Sequence, residues 1–140
     1  MKSVTVFKVL AITFGLACAL WLFVKNSADD IIIETVSTNV LLPDTLSRNA
    51  QIGKFVFEAK CASCHGTNAA GRDGVAPPLV HIIYESNHHG DESFQRAVAM
   101  GVQAHHWSFG NMPAVEGLTR GDVKMIVKYI RELQRENGIN

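Results

Sequence analysis

The chain has 140 residues, of which 47% are hydrophobic, and its 13 Lys and Arg residues balance 13 Asp and Glu residues. This length provides for one domain and a leader segment. All of the acidic residues but only 10 of the basic ones follow residue 25, and this lack of a basic surplus argues against nucleic-acid binding.

An uninterrupted apolar run covers residues 9–24. Sixteen residues are long for a signal peptide and slightly short for a membrane-spanning helix, but the run reaches spanning length if residues 4–7 join it. The segment Ala17-Cys18-Ala19 has the small residues of a cleavage site, but cutting there would leave five apolar residues at the new N terminus. We therefore predict that residues 1–25 form an uncleaved single-pass anchor, with a cleaved signal peptide as the alternative.

The charges beside this run predict its orientation. Lys2 and Lys8 precede it, whereas Asp29 and Asp30 follow it, which places the N terminus inside and the rest of the chain outside. Residues 26–46 mix polar and β-branched residues, and we interpret them as a linker, part of which could pack on the domain formed by residues 47–140.

The first helix of that domain is predicted at about residues 47–61. Apolar residues recur there at positions i, i+3, i+4 and i+7, which indicates a buried face. This face consists of Ile52, Phe55, Val56 and Ala59.

The segment from Cys61 to His65 reads C-x-x-C-H, the attachment motif of a c-type haem. Two thiols at this spacing can add to two vinyl groups of one porphyrin, and the next imidazole can ligate the iron. A redox dithiol and half of a zinc site are the alternatives, but no βαβ context precedes the motif and no second Cys pair completes a zinc site. Because the motif occurs once, we predict one covalent haem c on Cys61 and Cys64, with His65 as an iron ligand.

A second helix is predicted from Asp91 to Gly101. It is followed by the loop Phe109-Gly110-Asn111-Met112-Pro113, whose Gly and Pro allow a close approach to a flat cofactor. We expect the Met112 thioether to be the second iron ligand, with the pair His105-His106 as its rival. The pairs His88-His89 and His105-His106 could also form a copper or zinc site, although such histidines more often make loop hydrogen bonds.

The last helix is predicted to begin at Thr119, whose hydroxyl can form a capping box with Asp122, and to end before Gly138. Its buried stripe is predicted to be Val123, Ile126, Val127, Ile130 and Leu133. No alternating strand pattern follows residue 46, so the predicted fold class is all-α. The long irregular segments 66–78 and 102–117 are typical of loops that enclose a cofactor.

With these motifs in this order, residues 49–136 resemble the class I, monohaem bacterial cytochromes c. The resemblance implies that Gly53 and Phe57 lie where the first helix crosses the last, with Tyr129 as the aromatic residue on the partner helix. It also implies that the Pro77 carbonyl accepts the N–H of the proximal imidazole, a bond that orients the ring and raises its basicity. Pro78 remains the alternative acceptor.

The function predicted from these features is one-electron transfer, not enzymatic catalysis. Because haem c is attached outside the cytoplasm, we expect the haem domain in the periplasm, anchored to the inner membrane. The expected partners are redox proteins or a membrane oxidase or dehydrogenase complex. The alternatives are a haem subunit fixed in such a complex, and a haem enzyme or sensor whose sixth ligand can be displaced.

Overall fold

The computed structural model describes residues 39–140. The predicted anchor and residues 26–38 of the predicted linker lie outside the described residues. The described chain contains helices α1 (Arg48–Lys60), α2 (Ala62–His65), α3 (Asp91–Met100) and α4 (Arg120–Glu136), with short 3₁₀ turns at Thr67–Ala69 and Ile82–Tyr84.

The all-α class predicted from the sequence is confirmed. Within residues 39–140 there is no strand, and extended pairing is limited to two isolated antiparallel bridges, Arg72 with Ala76 and Val102 with Met112. No helix of this part of the chain combines the length and the apolar character that crossing a membrane requires.

The core forms where α1 crosses α4. At the crossing, Gly53 lies against the main chain of Met125, so closely that a Cβ atom would overlap the Met125 carbonyl oxygen. Beside it, the rings of Phe57 and Tyr129 pack with their centroids 5.7 Å apart. These are the crossing residues that the resemblance indicated.

The face of α1 predicted from periodicity is wrong except at Val56, which is half-buried and packs against the core. The structure buries Ala50, Gly53 and Phe57, whereas Ile52 is 46% and Phe55 is 75% exposed. The physical reason is that Gly53 has no side chain, since helix backbones can approach each other closely only where no Cβ atom intervenes.

Helix α4 follows its prediction closely. The Thr119 main-chain N–H donates to Asp122 Oδ2 (2.8 Å) and the Asp122 N–H donates to Thr119 Oγ1 (3.2 Å), which completes the predicted capping box. The five residues of the predicted stripe are all buried. Helix α3 also has the predicted bounds, although it contains no fully buried residue.

The last residues of the predicted linker contact the domain. The Leu41 N–H donates to Asn137 Oδ1 (3.0 Å), and Asn137 Nδ2 donates back to the Leu41 carbonyl (2.9 Å). Ser47, the N-cap of α1, donates to the carboxylate of Glu132 from both its N–H and its hydroxyl. The start of the described chain is therefore bound to the C-terminal half of α4.

A buried arginine on α4 holds the loop that leads into α3. Arg131 is only 7% exposed and donates to the carbonyl oxygens of Tyr84 and His89, both at 2.6 Å. Its Nε donates to Asp91 at the start of α3 (3.0 Å), and its guanidinium lies over the Phe94 ring. The sequence analysis did not identify this residue, which fixes a loop whose only regular structure is the 3₁₀ turn at Ile82–Tyr84.

Candidate cofactor site

The C-x-x-C-H motif spans the junction of α1 and α2. Helix α1 ends at Lys60 and Cys61 is its C-cap, whose N–H still bonds to the Phe57 carbonyl (2.8 Å). The next four residues form α2. Because α1 is fixed on α4, the motif is held at the edge of the core.

His65 is buried and has one defined side-chain partner. Its Nδ1 lies 2.9 Å from the carbonyl oxygen of Pro77. A carbonyl can only accept a hydrogen bond, so Nδ1 carries the proton and Nε2 keeps a free lone pair. Of the two prolines left open by the sequence, the structure therefore selects Pro77.

The main chain of His65 is fixed as well. Its N–H donates to the Cys61 carbonyl (2.9 Å), and its own carbonyl accepts the N–H of Gly71 (2.7 Å). Gly71 has φ +81°, and a Cβ atom there would stand 2.6 Å from the Pro78 nitrogen. The segment 66–78 thus folds tightly back over His65, and the glycine is required by both conformation and space.

Burial lowers the pKa of His65, and the hydrogen bond to Pro77 opposes this effect only in part. A lowered pKa keeps the imidazole neutral at physiological pH. The neutral ring is the form that ligates a metal.

The two thiols are free in the structure. Cys61 is half-buried and Cys64 is exposed, and the structure has no disulfide between them. Burial, with a smaller contribution from Cys64, raises the pKa of Cys61 to about 11. A redox dithiol instead relies on a lowered thiol pKa, so this environment argues against the redox-pair alternative.

Met112 is positioned by its main chain. Its N–H and carbonyl form a reciprocal pair with Val102, each bond 2.9 Å long. Gly101 (φ +77°) lies directly against this pair, where a Cβ atom would be 2.5 Å from the Met112 carbonyl oxygen. The Met112 side chain is half-buried, and the loop of residues 103–111 projects from this base.

Trp107 in that loop carries an unpaired polar atom. Its indole N–H is buried and makes no hydrogen bond of ordinary geometry among residues 39–140, although the indole partly opposes the rise in the pKa of Tyr84 that burial causes. Its ring stacks on Phe109 (15° between planes, centroids 5.8 Å apart) and meets the edge of His81. A buried donor without a partner fits a site for a group that brings acceptors. Sequence reasoning missed this residue, whose only signal was a tryptophan inside a predicted cofactor loop.

The two histidine pairs converge on the surface. His88 Nε2 and His106 Nε2 lie 3.4 Å apart, and the rings of His105 and His106 are 4.3 Å apart between centroids. His89 packs against the same group. The structure therefore gathers His105 and His106 with His88 and His89, all exposed except the half-buried His89.

Taken together, an all-α domain with paired free thiols, a buried neutral imidazole and an orphaned indole donor defines a haem c-binding protein, and these residues fit that cofactor. The chain matches the model of the Cytochrome c family over residues 50–134, and it belongs to this family. The family binds haem c covalently, and the domain indicates an electron-carrier role. No curated protein and no solved structure matches the chain.

Proposed function

We propose that this protein is a one-electron carrier with a single haem c, bound by thioether links to Cys61 and Cys64 and ligated by His65 and Met112. The observation that carries this proposal is the hydrogen bond from His65 Nδ1 to the Pro77 carbonyl. That bond leaves Nε2 of a buried, neutral imidazole as the one unused nitrogen directly after the two thiols.

When bound, haem c supplies an iron that alternates between ferric and ferrous states. The chain contributes ligands that stay in place. His65 is fixed through its N–H, its carbonyl and Nδ1, and the main chain of Met112 is fixed by Val102. Ligands held in this way keep reorganisation small during electron transfer.

The ligand assignment is tested with optical spectra of the haem-loaded protein. Met112→Ala is expected to lower the reduction potential and to let ferrous iron bind carbon monoxide, because a thioether stabilises ferrous iron and blocks the sixth position. His106→Ala is the matched control, and it is expected to retain the wild-type spectrum and potential. If only His106→Ala opens the iron, the proposed ligation is wrong.

We further propose that the haem domain lies in the periplasm, anchored to the inner membrane by residues 1–25, and exchanges electrons with redox proteins or a membrane oxidase or dehydrogenase complex. The support is the apolar run at residues 9–24 and the charges on either side of it.

The anchor is tested by membrane fractionation. The haem protein is expected to remain with membranes in high salt, which screens surface ion pairs, and to be released by detergent. Replacing residues 1–25 with a cleavable signal should yield a soluble domain with an unchanged spectrum. A native protein whose N terminus starts near Leu20 or Asp29 by mass spectrometry would show that the segment is cleaved.

A further inference from the structure

We propose that His88, His89 and His106 form a surface site for a late first-row divalent transition metal ion. The three residues come from two loops, one before α3 and one after it. Their candidate ligand nitrogens all lie within 4.8 Å of one another.

The spacing of the nitrogens matches metal coordination. Two nitrogens that ligate a tetrahedral zinc ion, each at about 2.0–2.1 Å, are about 3.4 Å apart. His88 Nε2 and His106 Nε2 are 3.4 Å apart. These two imidazoles therefore need no large rearrangement to ligate one ion.

The tautomer of His89 is set for ligation. Its Nδ1 lies 2.6 Å from the Ile83 carbonyl oxygen, so Nδ1 is the donor and Nε2 is unprotonated. A hydrogen bond from the second ring nitrogen to a carbonyl is the usual support for a metal-binding histidine.

Both loops are held by contacts outside the cluster. Arg131 donates to the His89 carbonyl from α4. The second loop is closed at its base by the pairing of Val102 with Met112, and Asn111 Oδ1 accepts the Ala104 N–H (2.9 Å) within it. The site is thus largely preformed, which reduces the entropic cost of binding.

The donor set indicates the class of ion. Imidazole suits zinc, copper and nickel, whereas magnesium and calcium require oxygen ligands. Within the described chain, the group of ligand atoms contains imidazoles only and no carboxylate. Three protein ligands leave a position for water, and the exposure of His88 and His106 gives the ion access from solvent.

The matched control is His105, which neighbours the three ligands in space but does not belong to the group. Its Nδ1 lies 2.8 Å from the Gln103 carbonyl oxygen, and its side chain is exposed. A change at His105 removes one imidazole from the same surface without removing a proposed ligand.

The test uses the full-length, haem-loaded, oxidised protein in detergent, titrated with Zn²⁺ by calorimetry after treatment with a chelator. We expect the wild-type protein to bind one equivalent of Zn²⁺. In His88→Gln and in His106→Gln the affinity should be at least about 100-fold weaker, because even changes to residues that only support a ligand lower metal affinity about 10–100-fold. The Zn²⁺ affinity of His105→Gln should stay within about twofold of that of the wild type, and a titration with Mg²⁺ should show no binding.

The proposal is overturned by the absence of saturable Zn²⁺ binding, or by equal losses of Zn²⁺ affinity in His105→Gln and His106→Gln. The haem spectrum of each variant without zinc separates this test from that of the proposed function. An unchanged spectrum shows intact folding and ligation, so a weaker affinity then reports the loss of a zinc ligand. If His106→Gln alone alters the spectrum, His106 ligates the iron and the zinc site is refuted.

Discussion

His65 depends on the tight return of the chain at residues 66–78. The side chain of His65 bonds to Pro77, and its carbonyl bonds to Gly71. Gly71 in turn lies against Pro78. The strength of the hydrogen bond at Nδ1 therefore depends on a glycine that never contacts the imidazole.

Gly71→Ala is expected to destabilise the haem protein and to raise its reduction potential. The Cβ atom would displace Pro78 and weaken the bond to Pro77, which makes the imidazole a poorer donor to ferric iron. Denaturant unfolding should show a free energy of unfolding lower by about 2 kcal/mol, in addition to the strain of a positive φ. A spectroelectrochemical titration measures the reduction potential.

Gly74→Ala is the control for this substitution. Gly74 also has a positive φ (+67°), but a Cβ atom there meets nothing within 4 Å. Gly74→Ala should lower the free energy of unfolding by about 1–2 kcal/mol, the strain of a left-handed backbone at a residue with a Cβ atom. It should leave the reduction potential unchanged. Equal potentials in the two variants would contradict the role given to the segment 66–78.

At the scale of the helices, the close crossing of α1 and α4 depends on the absence of a Cβ atom at Gly53. Glycine inside a helix costs roughly 1 kcal/mol relative to alanine. The core compensates for this cost because the Gly53 backbone contacts Met125 directly, which brings Phe57 onto Tyr129.

Gly53→Ala is expected to destabilise the domain by about 3 kcal/mol despite its better helix propensity, because the new Cβ atom forces the two backbones apart. Gly121→Ala in the first turn of α4 is the control, since a Cβ atom there comes no closer than 3.5 Å to Thr119 Oγ1. It should be neutral or stabilising. Thermal and denaturant unfolding of both variants measure the difference, and equal effects would argue against the close contact.

The capping box of α4 gives a pH-dependent prediction. Hydrogen bonds from the hydroxyl and the N–H of Thr119 lower the pKa of Asp122. The carboxylate therefore stabilises the fold above its unfolded pKa, and this contribution is lost as the pH falls through the lowered folded pKa. Thr119→Ala should cost about 1 kcal/mol at neutral pH and raise the pKa of Asp122, as measured by an NMR titration. An unchanged pKa would show that the box does not form in solution.

The accuracy of the sequence predictions followed the range of the interactions involved. The C-x-x-C-H motif and the cap of α4 depend on neighbours within a few residues, so spacing was sufficient to identify them. The face of α1 depends on a partner at the other end of the domain, and periodicity chose the exposed Ile52 and Phe55. Arg131 gave no signal and Trp107 only its place in a predicted cofactor loop, because the roles of both residues exist only after distant segments meet.

At the scale of the whole described chain, Arg131 connects α4 to α3 and to the loop that precedes α3. It joins α4 to the turn at Tyr84, to the histidine-bearing loop at His89 and to α3 at Asp91. Gln134 Oε1 accepts from the same guanidinium (2.7 Å). Gln134 Nε2 also donates to the Tyr84 carbonyl (3.1 Å), so these two side chains of α4 together hold the centre of the chain on the C-terminal helix.

Arg131→Met is expected to destabilise the domain by about 2 kcal/mol. Methionine keeps an unbranched stem but removes the donors to the part-buried carbonyls of Tyr84 and His89, of which Tyr84 keeps a second donor in Gln134 Nε2. Arg135→Met, one turn further along α4, is the control, since the Arg135 side chain is 53% exposed and its contact with Glu132 is 3.9 Å long. The free energy of unfolding of Arg135→Met should stay within about 0.5 kcal/mol of the wild-type value. Denaturant unfolding at neutral pH measures both, and similar values would remove Arg131 from this role.

The contact between α1 and α4 also has a consequence for the segments that lie between these helices in the chain. The two helices come from opposite ends of the domain, so their docking closes nearly all of the described chain into one loop. The entropy of closing such a loop grows only with the logarithm of its length, and the segments inside it can order or disorder in turn. The segment 102–117 is closed on itself by the bridge between Val102 and Met112, and the Val115 N–H binds it to the Val98 carbonyl of α3 (2.9 Å). It can then open while the contact between α1 and α4 stays intact. Release of Met112 would accordingly be a sub-global event, with a lower free energy than unfolding of the domain.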